Sequence, residues 1–182
     1  QCAPLSRNSA FDGQQIIFAP TRPELYYSCV GMSVNPEDER YKKYIGKTVI
    51  MPLTNAHITL TADKMVDPTF GSGVVYFCSS GDAQFLDWET RHPVKNKIYL
   101  MNKDGTLNEH AGKYKGLTVE AARKKIIEEL QSLGVVKKLE PLKHTVNTHE
   151  RCGTVVEYVS SKQWFIKYLD LKEDMLKWGA EL

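Results

Sequence analysis

A short apolar stretch at residues 73–78 ends in a polar cluster that could bind or hydrolyse a ligand. Ser79, Ser80, Gly81 and Asp82 follow it directly. The stretch is rich in β-forming residues, which predicts a buried strand. Two hydroxyls and one carboxylate at the end of such a strand could bind an ammonium group and orient a water molecule. The alternative is a β-turn in which Asp82 caps the helix that follows.

A second candidate is the stiff turn that comes after another apolar stretch, at residues 15–19. It contains Thr21 and Arg22, followed by Pro23 and Glu24. A hydroxyl beside a guanidinium can hold a phosphate, a ribose or a carbonyl group. The alternative is a simple strand-end turn in which Arg22 and Glu24 form an exposed ion pair, which would contribute little.

Cys78 lies next to the polar cluster and allows two interpretations. It could be a nucleophile with His92 as its base, because a thiol is activated by an adjacent general base. It could also be a small buried apolar residue, which is the common role of a cysteine on a strand.

The other patterns place these candidates on a mainly β domain with a few peripheral helices. A turn at 54–56 joins two strand-like segments into a hairpin. The predicted strands are at 15–19, 48–53, 57–61, 73–78, 97–101 and 154–159.

Helices are predicted at three further places. The clearest is 118–133, where apolar residues recur at steps of three and four and Gly134 stands at the expected end. Asn35 could cap a short helix that Gly46 ends, and a last helix is expected at about 170–179.

Composition limits the class of protein. The chain has 182 residues, of which 42% are hydrophobic, as expected for one globular domain with a core. Its net charge of +2 neither requires nor excludes a nucleic-acid partner. Four scattered cysteines favour a reducing compartment, so we expect a cytoplasmic protein. No stretch approaches the ~20 apolar residues of a membrane span, so we expect no membrane partner.

Several short motifs of this chain occur together in one known family. They are Thr-Arg-Pro-Glu at 21–24, Gly-Ser-Gly at 71–73, Gly-Asp at 81–82, and the segments 34–41, 45–47, 149–154 and 163–167. Together they resemble the editing domain of the class I aminoacyl-tRNA synthetases of the valyl, isoleucyl and leucyl group. The segments 34–41 and 45–47 look like the valyl branch, and Gly81-Asp82 in place of His-Asp is similar to its archaeal-type members. The resemblance covers residues 15 to 178.

This resemblance implies a barrel-like domain that hydrolyses the ester of a mischarged aminoacyl-tRNA, which in the valyl branch carries threonine. It implies that Asp82 is the catalytic carboxylate and that water attacks without a covalent nucleophile. The residues expected to contact the substrate are Thr21, Arg22, Glu24, Tyr76, Cys78, Ser79, Ser80 and Phe85. Two alternatives stay open: a module that binds the tRNA acceptor end and has lost hydrolysis, and an editing domain of an isoleucyl or leucyl enzyme.

The chain departs from the family at two positions. Pro20 stands where the family has threonine, and Phe85 stands where a second carboxylate normally holds the ammonium group of the amino acid. Asp87 comes two residues later, about 200° further round a helix. If the editing site is merely weakened, replacing Phe85 by aspartate should raise hydrolysis.

The resemblance also divides the chain. Residues 1–14 are an N-terminal stem, 15–144 the editing core, and 145–182 a return stem toward a catalytic core. The chain begins with neither an initiator methionine nor a signal-peptide pattern, so we expect a piece of a longer protein. Its expected partners are the tRNA acceptor end and the remainder of its synthetase, and we expect a monomer.

No cofactor or metal is expected in this chain. It lacks stretches like His-Ile-Gly-His and Lys-Met-Ser-Lys-Ser, which build the ATP site of the family, so we expect no aminoacylation from it. His149 and Cys152 have half of the ligand spacing of a zinc site, and parent enzymes often carry a zinc knuckle here. Only Cys2 is present at the start of the chain as a further ligand, so we expect no bound zinc.

Overall fold

A computed structural model describes residues 15–79, 81–142 and 145–181, together with the backbone of residues 6–10. The predicted contacts of Ser80 and the possible zinc ligand Cys2 therefore lie outside the described residues.

The described residues form a sheet of six strands. They are β1 (Ser6–Ala10), β2 (Gln15–Phe18), β3 (Cys29–Val34), β4 (Thr48–Ile50), β5 (His57–Ala62) and β6 (Val74–Cys78). Their order in the sheet is β2-β1-β4-β5-β3-β6. β3 and β5 are parallel, and the other neighbouring strands are antiparallel.

The sheet curls until its two edge strands meet. Phe18 on β2 and Tyr76 on β6 pack with their ring centroids 5.5 Å apart. Alternate residues of β2, Ile16 and Phe18, are buried, as expected for a strand with one face toward a core. The predicted barrel-like domain with peripheral helices is confirmed.

Three α-helices lie outside this sheet in the described residues: α1 (Ala83–Arg91), α2 (Val119–Ser132) and α3 (Lys172–Ala180). α2 is confirmed as predicted. Thr118 caps it by accepting the backbone N–H of Ala121, and Gly134 follows it with a φ of 65°. Its apolar stripe, Ala122, Ile126 and Leu130, is fully buried in the core.

The hairpin of β4 and β5 is also confirmed. Its turn uses two residues in the left-handed region, Leu53 (φ 67°) and Asn55 (φ 51°). Asparagine tolerates this conformation better than most residues, which explains why Asn55 marks the turn.

Three predicted elements are wrong. The strand at 97–101 is reduced to an isolated bridge between Met101 and Leu107. The helix between Asn35 and Gly46 is a series of turns with a single 3₁₀ turn at Lys42–Tyr44. This segment is charged and has few apolar residues to bury, so no core-facing stripe stabilises a helix. The strand at 154–159 is reduced to one bridge between Thr148 and Val155, because its residues pair with no further strand in the described chain.

The two ends of the chain differ from its middle. The apolar core is built from residues between 16 and 136. β1 lies in the predicted N-terminal stem and forms a strand between β2 and β4. In the return stem the apolar side chains are exposed, for example Trp164 (102%), Phe165 (86%) and Ile166 (86%).

In the described part of the chain, no helix combines the length and the apolar character needed to cross a membrane.

Candidate functional site

A cleft with a volume of about 580 Å³ lies between the end of β2, the end of β6, helix α1 and the loop between β5 and β6. It brings together the two polar segments that the sequence singled out, although they are 59 residues apart. The predicted site residues that line it are Thr21, Arg22, Tyr76, Cys78, Asp82 and Phe85. We call Gly81 and Asp82 the lip of this cleft.

Arg22 connects the turn after β2 directly to the lip. Its Nη1 donates to the backbone carbonyl of Gly81 at 2.8 Å, and its Nε donates to the Glu24 carboxylate at 2.9 Å. Its Nη2 binds the carboxylate of Glu157 in the return stem. Burial alone would lower the pKa of Arg22, but Glu24 and Glu157 outweigh it and raise that pKa above its ordinary value. The main role of Arg22 is therefore to hold the lip in place through its hydrogen bond to Gly81.

Glu24 lies beneath the cleft and does not line it. Its side chain is fully buried. Its carboxylate accepts one hydrogen bond from Nε of Arg22 and two from Nε and Nη2 of Arg123 on α2, each at 2.9 Å. Burial would raise the pKa of the Glu24 carboxyl, but Arg123 and then Arg22 hold it below its ordinary value. The predicted substrate contact of Glu24 is not supported, because its carboxylate is already shared by two guanidinium groups.

Tyr76 closes the same arrangement from β6. Its hydroxyl donates to the backbone carbonyl of Arg22 at 2.7 Å. Burial raises the pKa of the Tyr76 hydroxyl well above its ordinary value. The phenol therefore stays neutral and fixes the turn that carries Thr21 and Arg22, while its ring lines the cleft.

Asp82 is the helix cap that the sequence offered as an alternative, and it also lines the cleft. One carboxylate oxygen accepts the backbone N–H of Phe85 at 3.0 Å, at the first turn of α1. The residue is exposed, and one hydrogen bond leaves most of the acceptor capacity of its carboxylate unused. Capping and catalysis are compatible roles for this side chain.

Ser79 lies outside the cleft lining, in contrast to what we expected of it. Its hydroxyl accepts the backbone N–H of Ile98 at 3.2 Å, and the residue is buried. Ser79 therefore holds the segment that follows α1.

The nucleophile interpretation of Cys78 is not supported. Burial raises the pKa of the Cys78 thiol well above its ordinary value, which disfavours the thiolate that nucleophilic attack requires. His92 does not serve it: its Nε2 lies 3.3 Å from a carboxylate oxygen of Asp63, and its ring stacks on Trp88. Cys78 is a small buried residue of the cleft wall.

Phe85 forms part of the core as well as part of the cleft. It is 2% exposed and packs against Trp88, with ring centroids 6.3 Å apart. Phe77 belongs to the same apolar cluster. Phe85 therefore supplies no charge to the cleft and anchors α1 to the sheet.

Sequence reasoning missed the outer face of α1. Gln84, Asp87 and Arg91 recur at helical spacing and line the cleft, although Asp87 was expected to point elsewhere. The Asp87 and Gln84 side chains have no hydrogen-bond or ion-pair partner among the described residues. Arg91 is bound by Asp63 at 2.9 Å. The helical spacing of these residues was the available signal.

The loop between β5 and β6 forms the opposite wall. Arg40 donates to the backbone carbonyl of Pro68 at 2.7 Å, and the Tyr41 hydroxyl donates to that of Ser72 at 2.9 Å. Gly73 has a φ of 81°, and a Cβ there would lie 2.6 Å from Nη2 of Arg40. Only glycine fits this close approach without displacing the arginine that holds the loop.

Two apolar side chains of the cleft are exposed. Met65 is 76% exposed and Phe70 is 58% exposed, and both line the cleft. An aromatic side chain in this setting can stack on a nucleobase.

His149 and Cys152 meet in a turn of the return stem, with Sγ 3.4 Å from Nδ1. Within the described residues, no group of three or more His, Cys, Asp and Glu side chains is arranged to hold a metal ion. The pair therefore offers two of the four ligands of a closed zinc site.

Comparison with known proteins identifies relatives along nearly the whole chain. A valine–tRNA ligase of Thermoplasma volcanium is 46% identical over 172 residues, which are 94% of this chain and 22% of that protein. Another, from Pyrococcus horikoshii, is 45% identical over 184 residues, covering 98% of this chain and 20% of the ligase. The chain is homologous to one segment of the valine–tRNA ligases. It spans about a fifth of their length.

No model of a known protein family matches this chain. A solved structure does: the agnB2 LeuRS of Agrobacterium radiobacter K84, in a ternary complex with tRNA and LeuAMS. The match has a TM-score of 0.53 and 20% identity, and it covers 73% of this chain and 19% of that chain. At this identity the likeness concerns the fold alone. The resemblance to a class I synthetase editing domain is thereby confirmed, while the roles of individual site residues stay predictions.

Proposed function

We propose that this segment hydrolyses the ester bond of a mischarged aminoacyl-tRNA, and that its target is threonine attached to the valine tRNA. The observation that carries the proposal is the hydrogen bond from Arg22 to the carbonyl of Gly81. It joins the two predicted motifs into one cleft, on which the carboxylate of Asp82 and the hydroxyl of Thr21 are exposed.

The need for such a site follows from the chemistry of recognition. An apolar pocket that accepts valine cannot strongly reject threonine, which has the same shape with a hydroxyl in place of a methyl; valyl-tRNA synthetase is itself the standard example. A second, polar site reverses the preference, because its polar groups lose their partner when valine enters. Thr21, Asp82, Gln84 and Asp87 are among the exposed polar groups of the cleft and could serve this purpose.

The proposed reaction needs only water. Asp82 orients a water molecule that attacks the ester carbonyl, the bond between the carbonyl carbon and the ribose oxygen breaks, and a proton from the water ends on that oxygen. The products are free threonine and uncharged tRNA. A carboxylate suits this role because it accepts hydrogen bonds from water without forming a covalent intermediate. No metal or other cofactor takes part in the proposed reaction.

The cleft has the size and lining for the end of a tRNA. Its volume of about 580 Å³ lies within the range of small-ligand sites. The exposed Phe70 and Met65 offer an apolar surface for an unstacked base, and stacking of this kind tolerates any base. This surface can therefore bind the acceptor end of a charged tRNA without reading its base sequence.

The proposed partners are the tRNA acceptor end and the remainder of the synthetase, in the cytoplasm and as a monomer. The relatives are about five times as long as this chain. The return stem exposes a row of apolar side chains, including Trp164 and Phe165, which supports a contact with another part of the enzyme.

The proposal is tested with the full-length protein and separately charged tRNAs. Threonyl-tRNA(Val) should lose its amino acid rapidly, whereas valyl-tRNA(Val) should persist. Tyrosine or leucine esters of the valine tRNA serve as size controls. Rapid loss of an ester on the isoleucine or leucine tRNA would assign the segment to the isoleucyl or leucyl type. Stability of threonyl-tRNA(Val) in the presence of the protein would overturn the proposal.

A second function, binding of the tRNA end without hydrolysis, is favoured by one observation. Phe85 is buried against Trp88 and supplies no carboxylate to the cleft. In this case the protein would retain threonyl-tRNA(Val) in a filter-binding experiment while the ester stays intact.

A further inference from the structure

Four charged side chains form one connected network beneath the cleft. Arg123 on α2 grips the buried carboxylate of Glu24 with two hydrogen bonds of 2.9 Å. Glu24 accepts a third from Arg22, and Arg22 donates in turn to the carbonyl of Gly81 and to the carboxylate of Glu157. The network runs from helix α2 to the lip and contains two positive and two negative charges.

We propose that Arg123 is a positioning residue for the lip, acting through Glu24 and Arg22. Arg123 is not part of the cleft lining, so it does not itself contact a molecule bound there. Its effect is to satisfy most of the buried carboxylate of Glu24, which leaves the Nη groups of Arg22 for Gly81 and Glu157. This inference rests on the proposed hydrolysis and adds a residue to its machinery.

Removal of Arg123 should redirect Arg22. A fully buried carboxylate that loses two of its hydrogen bonds is strongly destabilised unless another donor reaches it. Arg22 is the remaining cation in contact with Glu24 and already lies 2.9 Å from it. Its guanidinium would turn toward Glu24 in a two-point contact, and the carbonyl of Gly81 would lose its donor. Asp82, the next residue, would then no longer be held at its position in the cleft.

The experiment compares Arg123→Met with Lys124→Met in the full-length protein. Both substitutions remove one positive charge from the same helix, but Lys124 is exposed and has no partner among the described residues. Two quantities are measured: the steady-state constants for hydrolysis of threonyl-tRNA(Val), and amide hydrogen exchange of the peptide that contains the lip. Melting curves show that each variant is folded.

We expect Arg123→Met to lower kcat about 100-fold, the effect of a small misplacement of a catalytic group, with KM unchanged. We also expect faster exchange in the lip peptide, and wild-type values of kcat, KM and lip exchange in Lys124→Met. A wild-type kcat in Arg123→Met, a change confined to KM, or an equal loss in Lys124→Met would overturn the assignment.

A second variant decides the case in which Arg123→Met does not fold. Arg123→Lys keeps the charge but replaces the planar two-point grip by a single ammonium group. A smaller fall in kcat with faster lip exchange supports the assignment, and wild-type values of both refute it. The exchange measurement also separates this inference from the proposed function. An inactive wild-type protein refutes hydrolysis, while the response of the lip to Arg123→Met still decides whether Arg123 holds it.

Discussion

The two sides of the cleft are built in opposite ways. On the side of β2, which we call the clamp wall, the charged groups are engaged: Arg22 has three partners and the buried carboxylate of Glu24 has two. On the side of α1, which we call the helix wall, Gln84 and Asp87 have no partner among the described residues, and Asp82 uses one hydrogen bond.

This difference assigns different tasks to the two walls. Groups that are already saturated can position their neighbours but have little capacity left for a ligand, whereas unpaired polar groups gain a partner when a ligand arrives. The helix wall is therefore expected to contact the amino acid, and the clamp wall to keep the lip in place. The helix wall depends for its own position on the apolar inner face of α1.

The largest effect is expected from placing a carboxylate at Phe85. Phe85→Asp should not restore an ammonium site, although the sequence alone favoured that outcome, because the side chain is 2% exposed and packs on Trp88. Loss of the ring together with burial of a charge should cost about 4 kcal/mol of unfolding free energy or more. Urea denaturation measures this cost.

Phe85→Leu is the matched control for that change. It keeps an apolar side chain in the cluster and should cost much less than the aspartate variant. If Phe85→Asp were as stable as the wild type and hydrolysed threonyl-tRNA faster, the inner face of α1 would not be an anchor and the comparison of the walls would fail.

A methyl group on the facing strand should also detach the helix wall. A Cβ at Gly31 on β3 would lie 2.1 Å from Cη2 of Trp88. The indole cannot yield easily, since it stacks on Phe77 with centroids 4.5 Å apart and donates to the hydroxyl of Ser33 at 2.8 Å. Gly31→Ala should therefore cost about 3 kcal/mol by overpacking, measured by thermal or urea unfolding.

Gly179→Ala provides the comparison for Gly31→Ala. Gly179 lies in α3, and a Cβ there would meet no atom within 4 Å. Alanine is the better helix former, so this variant should be neutral or more stable by up to about 1 kcal/mol. Equal losses in the two variants would show that the contact with Trp88 is not the cause.

These examples also show what the sequence could predict. Helix α2 and the β4–β5 hairpin were predicted because one buried face imposes a repeat on neighbouring residues. β3 was missed because Gly31 interrupts its apolar pattern, and that glycine is required by a ring 57 residues away at Trp88. Long-range requirements of this kind leave no local trace in a single sequence.

The candidate site also combines features that the sequence could predict with contacts that it could not. The two motifs that form the cleft were recognisable because each is a continuous stretch of chain. The partners of Arg22 and Glu24 were not, since Glu157 and Arg123 lie 135 and 99 residues away from them. Ser79 was assigned to the wrong side because its hydrogen-bond partner, the backbone N–H of Ile98, lies 19 residues away.

A smaller effect separates the two roles of Asp82. Asparagine caps a helix about as well as aspartate, whereas alanine costs about 1 kcal/mol. Asp82→Asn should therefore keep the stability of the wild type, and Asp82→Ala should lose about 1 kcal/mol, while both lose the hydrolysis of threonyl-tRNA(Val). Paired unfolding and single-turnover experiments test this. Full hydrolysis by Asp82→Asn would move the catalytic role away from the lip carboxylate.

The smallest effect concerns the far end of the helix wall and depends on pH. Burial would raise the pKa of the Asp63 carboxyl, but the backbone N–H of Met65 and the guanidinium of Arg91 outweigh it and hold that pKa below its ordinary value. His92 also faces this carboxylate. A carboxyl with a lowered pKa in the folded state stabilises the protein above the pKa of the unfolded chain, about 3.9, and this contribution is lost as the pH falls through the lower, folded-state pKa.

Asp63→Asn should therefore be less stable than the wild type at pH 7 by about 1 kcal/mol, since Arg91 is partly exposed and solvent screens the pair. The gap should shrink as the pH falls from about 4 toward the folded-state pKa, because the wild-type carboxyl then becomes neutral as well. Urea denaturation at a series of pH values measures this stability difference. The control is Asp170→Asn, because Asp170 forms an exposed ion pair with Lys167. A gap that stays constant down to pH 2 would mean that the amide disturbs packing rather than charge, and the helix wall would then be held at this end by shape alone.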